Sequence, residues 1–144
     1  MTKNTAKSHT TNFYLFVYGT LRRGLDNPHA ELLEARATYL GEAYTYGELY
    51  NIDSYPGLVV GSASTTKIIG DLYTHNSSDL YTMLDDYEEC ASHHPQPHEY
   101  KRIAMDVFTD EATRHAASVY VYGYPVTNKT IIECGDYLRY IGKK

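Results

Sequence analysis

The chain has 144 residues, which is enough for one hydrophobic core and short for two ordinary domains. Its 13 Lys and Arg stand against 18 Asp and Glu, and the resulting formal net charge of −5 argues against a protein built to bind nucleic acid or an acidic membrane surface. Charged residues make up 22% and hydrophobic residues 42%, which is typical of a folded domain rather than a disordered chain.

Tyrosine dominates the aromatic residues, with 16 Tyr beside 3 Phe and 0 Trp. Tyrosine favours strands, and its hydroxyl needs a partner when the ring is buried, so we expect a β-rich fold with a hydrogen-bonded interior. The cysteines, Cys90 and Cys134, are too few for a disulfide scaffold and favour free thiols in a reducing compartment.

The first residues of the sequence contain no recognisable targeting signal. Residues 1–12 contain two lysines and no acid, and they lack the apolar segment of a signal peptide, so we expect a flexible tail. The longest aromatic and aliphatic run, residues 13–18, is far too short for a membrane helix. We therefore expect one domain over residues 13–144 and a cytoplasmic protein with no membrane or nucleic-acid partner.

The first predicted element is a buried strand over residues 13–18, because the run has strand composition and stops at Gly19. The loop that follows is bounded by Gly19 and Gly24. Such a loop is either a plain turn or a set of unpaired backbone amides that binds a carboxylate or an oxyanion. The segment alone favours the plain turn.

A short helix and a long strand are predicted next. Asn27 before Pro28 is typical of an N-cap followed by a proline at the first helical position, and residues 30–35 suit an amphipathic helix. We expect Asn27 to cap this helix rather than to contact a ligand. Strand composition begins at Thr38, and in an uninterrupted strand alternate residues share one face. Those residues are Tyr44, Tyr46, Glu48 and Tyr50.

The second half of the chain predicts three strands, a second helix and a closing segment. Ser77 or Ser78 could cap the helix, and two prolines make residues 90–98 a loop. Gly70 inside a strand indicates a bulge or a close approach of two backbones. A mixed or antiparallel sheet that curls into a barrel is the natural class. The strands span residues 67–75, 100–108 and 116–124, and the closing segment spans residues 131–141.

Several families of active site have no support in the sequence. There is no GxxxxGK[ST] loop, GxGxxG, HExxH, CxxC or Gly-x-Ser-x-Gly motif, so we expect no cofactor. One loop does gather metal-binding residue types, but their spacing matches no zinc pattern, and a solvated loop without metal is the expected state. These residues are His93, His94 and His98, with Glu88, Glu89 and Cys90 nearby.

An acidic run at the end of the second predicted helix is a candidate for acid/base chemistry. It contains Asp85, Asp86, Glu88 and Glu89. Such a run is usually a solvated face, but a member buried among apolar groups would have a raised pKa, as a general base requires. The pattern by itself does not choose among the four carboxylates.

Five segments, taken in order, resemble the gamma-glutamylcyclotransferase-like family. Their order and spacing fit over residues 13–141, and Gly135-Asp136-Tyr137 resembles an ending common in the bacterial branch. The compact chain resembles the γ-glutamylamine branch more than glutathione-specific members. The segments are Tyr18-Gly19-Thr20-Leu21-Arg22-Arg23-Gly24, Tyr55-Pro56-Gly57-Leu58-Val59, Leu84-Asp85-Asp86-Tyr87-Glu88, Tyr100-Lys101-Arg102 and Val119-Tyr120-Val121-Tyr122.

The resemblance implies a fold, an activity and a set of site residues. The fold is α+β, a small mixed and mostly antiparallel β-barrel flanked by short helices. The activity is cleavage of a γ-glutamyl amide by attack of the substrate's own α-amine, a transferase- or lyase-type reaction that releases 5-oxoproline and a free amine. Substrate binding falls to Tyr18, Gly19, Thr20 and Leu21, and acid/base catalysis to Glu88. The alternative is a non-catalytic binding or regulatory module on the same fold.

The remaining expectations concern neighbours of these residues. Tyr120, Tyr122 and Tyr124 alternate and should share one strand face, and we select Tyr120 as a polar contact near Glu88. The partner is a small γ-glutamyl molecule, and the chain is expected to be a monomer or homodimer.

Three charged residues also need a role. Arg22 and Arg23 either attract an anionic substrate or are exposed loop cations. Glu89 stands where relatives often carry glycine, and it adds a charge at the edge of the site.

Overall fold

We describe the fold from a computed structural model over residues 12–61, 64–110 and 112–142. The predicted flexible tail, residues 1–12, lies outside these ranges except for Asn12. The described helices are α1 (Pro28–Arg36), α2 (Ser78–Tyr87) and α3 (Tyr137–Tyr140). The strands are β1 (Phe13–Val17), β2 (Thr38–Tyr46), β3 (Glu48–Asn51), β4 (Pro56–Val59), β5 (Lys67–His75), β6 (Tyr100–Phe108), β7 (Arg114–Tyr122) and β8 (Thr130–Ile131).

Five strands close into a barrel in the order β1-β5-β2-β6-β7. Four of the pairings are antiparallel, and the parallel pairing of β1 with β7, at Leu15 and Ser118, closes the ring. Closure satisfies strand edges that would otherwise be exposed. The prediction of an α+β fold with a mixed, mostly antiparallel barrel and short helices is confirmed.

The predicted uninterrupted strand through residue 50 is wrong, because the chain leaves the barrel at Gly47. β3 belongs to a second sheet, of order β4-β3-β8. A Cβ on Gly47 would lie 2.7 Å from Leu58 Cδ1 and 2.9 Å from the Val59 carbonyl oxygen, so only glycine permits this crossing. Gly70 is a close-approach point as predicted, since a Cβ there would collide with the Val17 carbonyl oxygen. The irregular pairing in this region lies elsewhere, between Tyr39 and Gly41.

The helices begin where the sequence indicated. Asn27 Oδ1 accepts from the amides of His29 (2.8 Å) and Ala30 (3.4 Å), which confirms the N-cap of α1. Ser77 precedes α2 as its N-cap residue without a side-chain capping hydrogen bond. Residues 90–98 form the predicted loop. Within the described ranges, no helix is long and apolar enough to cross a membrane.

β1 supplies both hydrophobic clusters of the core, which explains its unbroken apolar composition. Phe16 packs with strand residues such as Leu72, whereas Leu15 packs in a cluster that includes Leu33 of α1 and Leu80 of α2. The helices therefore pack on the face of β1 opposite Phe16, in a cluster that also includes Tyr73 of β5 and Tyr120 of β7. This arrangement places the end of β1 beside the end of α2.

Candidate active site

A cavity of about 460 Å³ lies where the end of β1 meets the end of α2. All six residues predicted for binding or catalysis line it, including Glu88 and Tyr120. The full lining is Phe16, Val17, Tyr18, Gly19, Thr20, Leu21, Ser54, Tyr55, Pro56, Tyr87, Glu88, Glu89, Glu99, Tyr100 and Tyr120.

The loop after β1 offers backbone amides to this cavity. The Arg22 amide donates to the Gly19 carbonyl at 3.0 Å and closes a tight turn. Within the described ranges, the amides of Gly19, Thr20 and Leu21 donate to no acceptor. A Cβ on Gly19 would lie 2.5 Å from Pro56 Cγ, so glycine is required for this packing. Unpaired amides of this kind bind a carboxylate or stabilise an oxyanion.

Tyr18 braces the loop through its hydroxyl. Tyr18 Oη donates to the Tyr120 carbonyl at 2.7 Å and accepts from the Leu58 amide at 3.0 Å. Burial raises the pKa of this hydroxyl, and the charge of Glu88 adds to the shift, so it stays protonated. Tyr18 lines the cavity, while its hydroxyl is already occupied by protein partners.

Arg22 anchors the loop through ion pairs and does not line the cavity. Its side chain is 2% exposed and pairs with Asp71 at 3.2 Å, Asp136 at 3.1 Å and Glu42 at 3.3 Å. Both predicted roles of Arg22, substrate attraction and exposed cation, are therefore wrong, because carboxylates from three separate segments enclose it. Arg23 is exposed and lies outside the cavity lining.

The end of α2 aims Glu88 at the cavity through a Schellman motif. Glu88 is the C-cap residue, and the Glu89 amide donates to the Asp86 carbonyl at 3.1 Å. The Cys90 amide donates to the Asp85 carbonyl at 2.9 Å. Glu89 takes the left-handed φ of 58° that this motif requires, which explains why glycine suits the position. The departure at Glu89 thus preserves the geometry of the helix end.

Glu88 has the electrostatics of an acid/base group. Burial raises its pKa from 4.5 to about 8, and the nearby charges of Glu99 and Asp85 contribute to the shift. A carboxyl with a pKa near neutral pH can accept a proton and return it within one reaction cycle. Of the four acids in the run, Glu88 and Glu89 line the cavity. Of these two, Glu89 is exposed and Glu88 is partly buried.

Asp85 holds two neighbours of the cavity in place. It accepts from Arg102 Nε at 2.9 Å and Arg102 Nη2 at 3.1 Å, and Tyr120 Oη donates to it at 2.6 Å. Tyr120 lines the same cavity as Glu88, but its hydroxyl bonds to the carboxylate one helical turn earlier, that of Asp85. Tyr122 ends β7, whereas Tyr124 lies beyond it and is exposed, so the predicted shared strand face does not reach Tyr124.

The lining residues without a role in the sequence analysis include Tyr55, Glu99 and Tyr100. Tyr55 donates to the carboxylate of Glu99, and Tyr100 Oη donates to the Pro56 carbonyl at 2.7 Å. Tyr55 and Tyr100 stood inside segments that carried the family resemblance, which was the available signal. Glu99 carried none, because it lies at the end of a loop with no regular pattern.

Thr20 belongs to a hydrogen-bonded group at the cavity wall. Its Oγ1 lies 3.0 Å from Tyr87 Oη, and Asn27 Nδ2 donates to that same phenol oxygen at 3.1 Å. Asn27 Nδ2 also donates to the Thr20 carbonyl at 3.0 Å. The ring of Tyr87 stacks on His29 at a centroid distance of 4.1 Å. This group joins the loop, the start of α1 and the end of α2.

The histidine loop lies beside the site and has hydrogen bonds of its own. Asp86 Oδ1 lies 3.1 Å from His93 Nε2 and 3.5 Å from His94 Nε2. The Ala91 amide donates to His94 Nδ1 at 3.1 Å, so in the neutral ring the proton is on Nε2 and faces Asp86. This tautomer offers a carboxylate a proton and offers a metal no lone pair from Nε2.

Comparison with known proteins identifies the same family that the sequence motifs resemble. The model of a family described as gamma-glutamyl cyclotransferase, AIG2-like, matches residues 15–139. A Methanocaldococcus jannaschii protein named "Putative gamma-glutamylcyclotransferase" is 29% identical over 132 residues, covering 90% of this chain and 98% of its own. A Vibrio cholerae protein of the same name is 33% identical over 125 residues, covering 85% and 93%.

A solved structure agrees with the fold. The crystal structure of a mouse AIG2-like protein superposes with a TM-score of 0.60 at 25% identity, over 79% of this chain and 80% of that one. The family match extends from β1 into α3 and includes every residue that lines the cavity. The chain therefore belongs to the gamma-glutamyl cyclotransferase, AIG2-like family.

Proposed function

We propose that the protein cleaves a γ-glutamyl amide by cyclisation and releases 5-oxoproline and a free amine. One observation carries the proposal: Glu88, a carboxyl with a pKa of about 8, lines the same cavity as the unpaired amides of Gly19, Thr20 and Leu21. The first supplies proton transfer, and the second supplies donors for the negative oxygens of the substrate.

In the proposed reaction the substrate brings its own nucleophile. Glu88 takes a proton from the α-ammonium group, and the free amine attacks the γ-carbonyl carbon to close a five-membered ring. Glu88 then gives this proton to the leaving nitrogen as the bond from carbon to that nitrogen breaks. The ring nitrogen still carries one excess proton, which Glu88 takes and passes to the released amine, so the products are the lactam, an ammonium ion and an ionised Glu88. Alignment of an intramolecular nucleophile can contribute roughly 7–11 kcal/mol, so no Ser or Cys nucleophile is required. The loop amides hold the α-carboxylate or stabilise the oxyanion.

The charge of the cavity supports an amine, rather than an amino acid or peptide, as the leaving group. The lining residues in the described ranges include three acidic residues, Glu88, Glu89 and Glu99, and no Lys, Arg or His. A leaving group that ends in a carboxylate, as glutathione does, would be repelled. The proposed substrates are therefore γ-glutamylamines.

Three substrates of matched length test this assignment. They are the γ-glutamyl amides of 1-aminobutane, 1,4-diaminobutane and 4-aminobutanoate, which share a four-carbon chain and differ in the charge of the terminal group. We expect kcat/KM for the anionic amide to be at least about tenfold below the values for the other two amides. Its terminal carboxylate would be repelled by the acidic residues of the cavity, and solvent screens that repulsion only in part. Equal or better turnover of the anionic amide would contradict the γ-glutamylamine assignment.

Glu88→Gln tests the chemistry, with 5-oxoproline release as the assay. The variant should keep the fold and lose about 10²–10⁴-fold in kcat, the usual contribution of a positioned acid/base group. Glu89→Gln is the matched control, since it removes an exposed carboxylate one residue away and should retain turnover. Full activity in Glu88→Gln would move the base to another acid. Binding of a γ-glutamyl amide without turnover by the unmodified protein would favour a binding module instead.

The cysteines support a cytoplasmic location as part of this proposal. Cys90 and Cys134 are both free thiols. Burial and the charge of Asp85 raise the pKa of Cys90 to about 12, so this thiol is poorly reactive. Two unpaired cysteines suit a reducing compartment.

A further inference from the structure

The hydrogen bonds around Thr20 determine the number of protons available to a ligand. Asn27 Oδ1 accepts from the amides of His29 and Ala30, which identifies that atom as the oxygen. The other end of the side chain is therefore the NH₂ group, which has protons to donate and no lone pair. Because Asn27 Nδ2 lies 3.1 Å from Tyr87 Oη, the Tyr87 hydroxyl must accept this bond.

The hydroxyls of Thr20 and Tyr87 then hold one proton more than the protein uses. The two groups carry one proton each, and the bond of 3.0 Å between them consumes one of the two. Within the described ranges, neither hydroxyl donates to any other acceptor. Both residues line the cavity, so the second proton is available to a ligand. The pair thus acts as a hydrogen-bond donor to whatever the cavity holds.

We propose that Asn27 and Tyr87 are positioning residues that keep the Thr20 hydroxyl pair in its donor state for a negative oxygen of the substrate. This inference rests on the proposed function, in which the γ-glutamyl group brings both a carboxylate and a carbonyl that develops negative charge. Asn27 acts through Tyr87 and does not itself line the cavity.

Replacing Asn27 by Asp reverses the polarity of the pair while preserving the helix cap. Asp is as good an N-cap as Asn, and its charge suits the start of α1. A carboxylate at position 27 has no proton to donate, so it would accept the proton of Tyr87 instead. It would also lose the bond to the Thr20 carbonyl, a loss that the variant shares with any double variant containing Asn27→Asp. Thr20 would then donate to the Tyr87 oxygen, which would leave lone pairs and no proton facing the substrate. The substrate oxygen would meet an acceptor in place of a donor.

This reversal predicts an unusual double-mutant result. In Tyr87→Phe the Thr20 proton has no competing acceptor, so the donor survives with a less fixed direction. In the double variant Asn27→Asp/Tyr87→Phe the phenol that transmits the reversal is absent, and the Thr20 proton is again free. Removing Tyr87 should therefore lower activity in the normal background and raise it in the Asn27→Asp background.

The experiment measures kcat and KM for γ-glutamyl-butylamide, and thermal stability, in both single variants and the double variant. We expect Asn27→Asp to lose about 10²-fold in kcat/KM, as for loss of one oxyanion donor, and Tyr87→Phe to lose less than about tenfold. The double variant should recover at least about fivefold relative to Asn27→Asp. Asn51→Asp is the matched control, because Asn51 also donates to a tyrosine, Tyr140 Oη at 3.3 Å, but neither residue lines the cavity.

Three results would overturn the inference. They are wild-type kcat/KM in Asn27→Asp, a double variant as slow as Asn27→Asp or slower, or a loss that follows a fall in thermal stability. Absence of 5-oxoproline release by the unmodified protein is a different outcome, since it would overturn the proposed function and this inference with it. Release by the unmodified protein with additive losses in the double variant would overturn the inference alone.

Discussion

The end of α2 predicts that replacing Glu89 by glycine stabilises the protein. Glu89 has a φ of 58°, a left-handed conformation that costs an L-residue about 1–2 kcal/mol and costs glycine almost nothing. Glycine offsets part of this gain, about 0.5–1 kcal/mol, because it is more flexible in the unfolded chain. The net backbone gain should therefore be about 0.5–1 kcal/mol, or roughly 2–3 °C in Tm for a chain of 144 residues.

A second variant separates the backbone effect from the charge effect. Glu89 is an acid at the C-terminal end of a helix, where the helix dipole disfavours negative charge. Glu89→Ala removes the charge and retains the left-handed cost, so the difference between the glycine and alanine variants measures the backbone alone. Thermal and urea unfolding of the three proteins provide the free energies. A glycine variant no more stable than the alanine variant would refute the Schellman geometry that aims Glu88 at the cavity.

The remaining predictions concern the proton, the buried cation and the loop. Because Glu88 must be ionised to act as the base, kcat/KM should rise with pH through about 8, and Glu99→Gln should move this inflection to lower pH. The folded-state pKa of Glu88 is raised, so the folded state binds more protons than the unfolded chain between pH 4.5 and about 8, and stability should fall across that window. Glu88→Gln should abolish this part of the loss in a series of urea titrations, and a wild-type pH profile in that variant would contradict the assignment. Arg22→Met removes the guanidinium that pairs with two buried carboxylates and should cost about 3–5 kcal/mol of unfolding free energy, whereas Arg23→Met on the exposed neighbour should cost little. Gly19→Ala places a Cβ 2.5 Å from Pro56 Cγ, so it should raise KM by displacing the loop amides, and an unchanged KM would count against their role.

Local signals were sufficient for most of the elements. The strand pattern of residues 67–75 and 100–108 predicted β5 and β6 with the bounds they have, and Asn27-Pro28 predicted the start of α1. These signals succeed because a strand's composition and a helix's cap depend on neighbouring residues. The break at Gly47 was not predictable in this way, because its cause is Leu58 and Val59 on another strand.

The candidate site was likewise predictable where local motifs determine it, and not where residues from distant segments do. Sequence by itself determined the family motifs, and with them the loop after β1 and the choice of Glu88. Tertiary structure alone decided that Arg22 is enclosed by Asp71, Asp136 and Glu42, and that Glu99 joins the cavity wall. The physical reason is that a charge acquires its role from the groups that desolvate and pair it, and those groups come from distant parts of the chain.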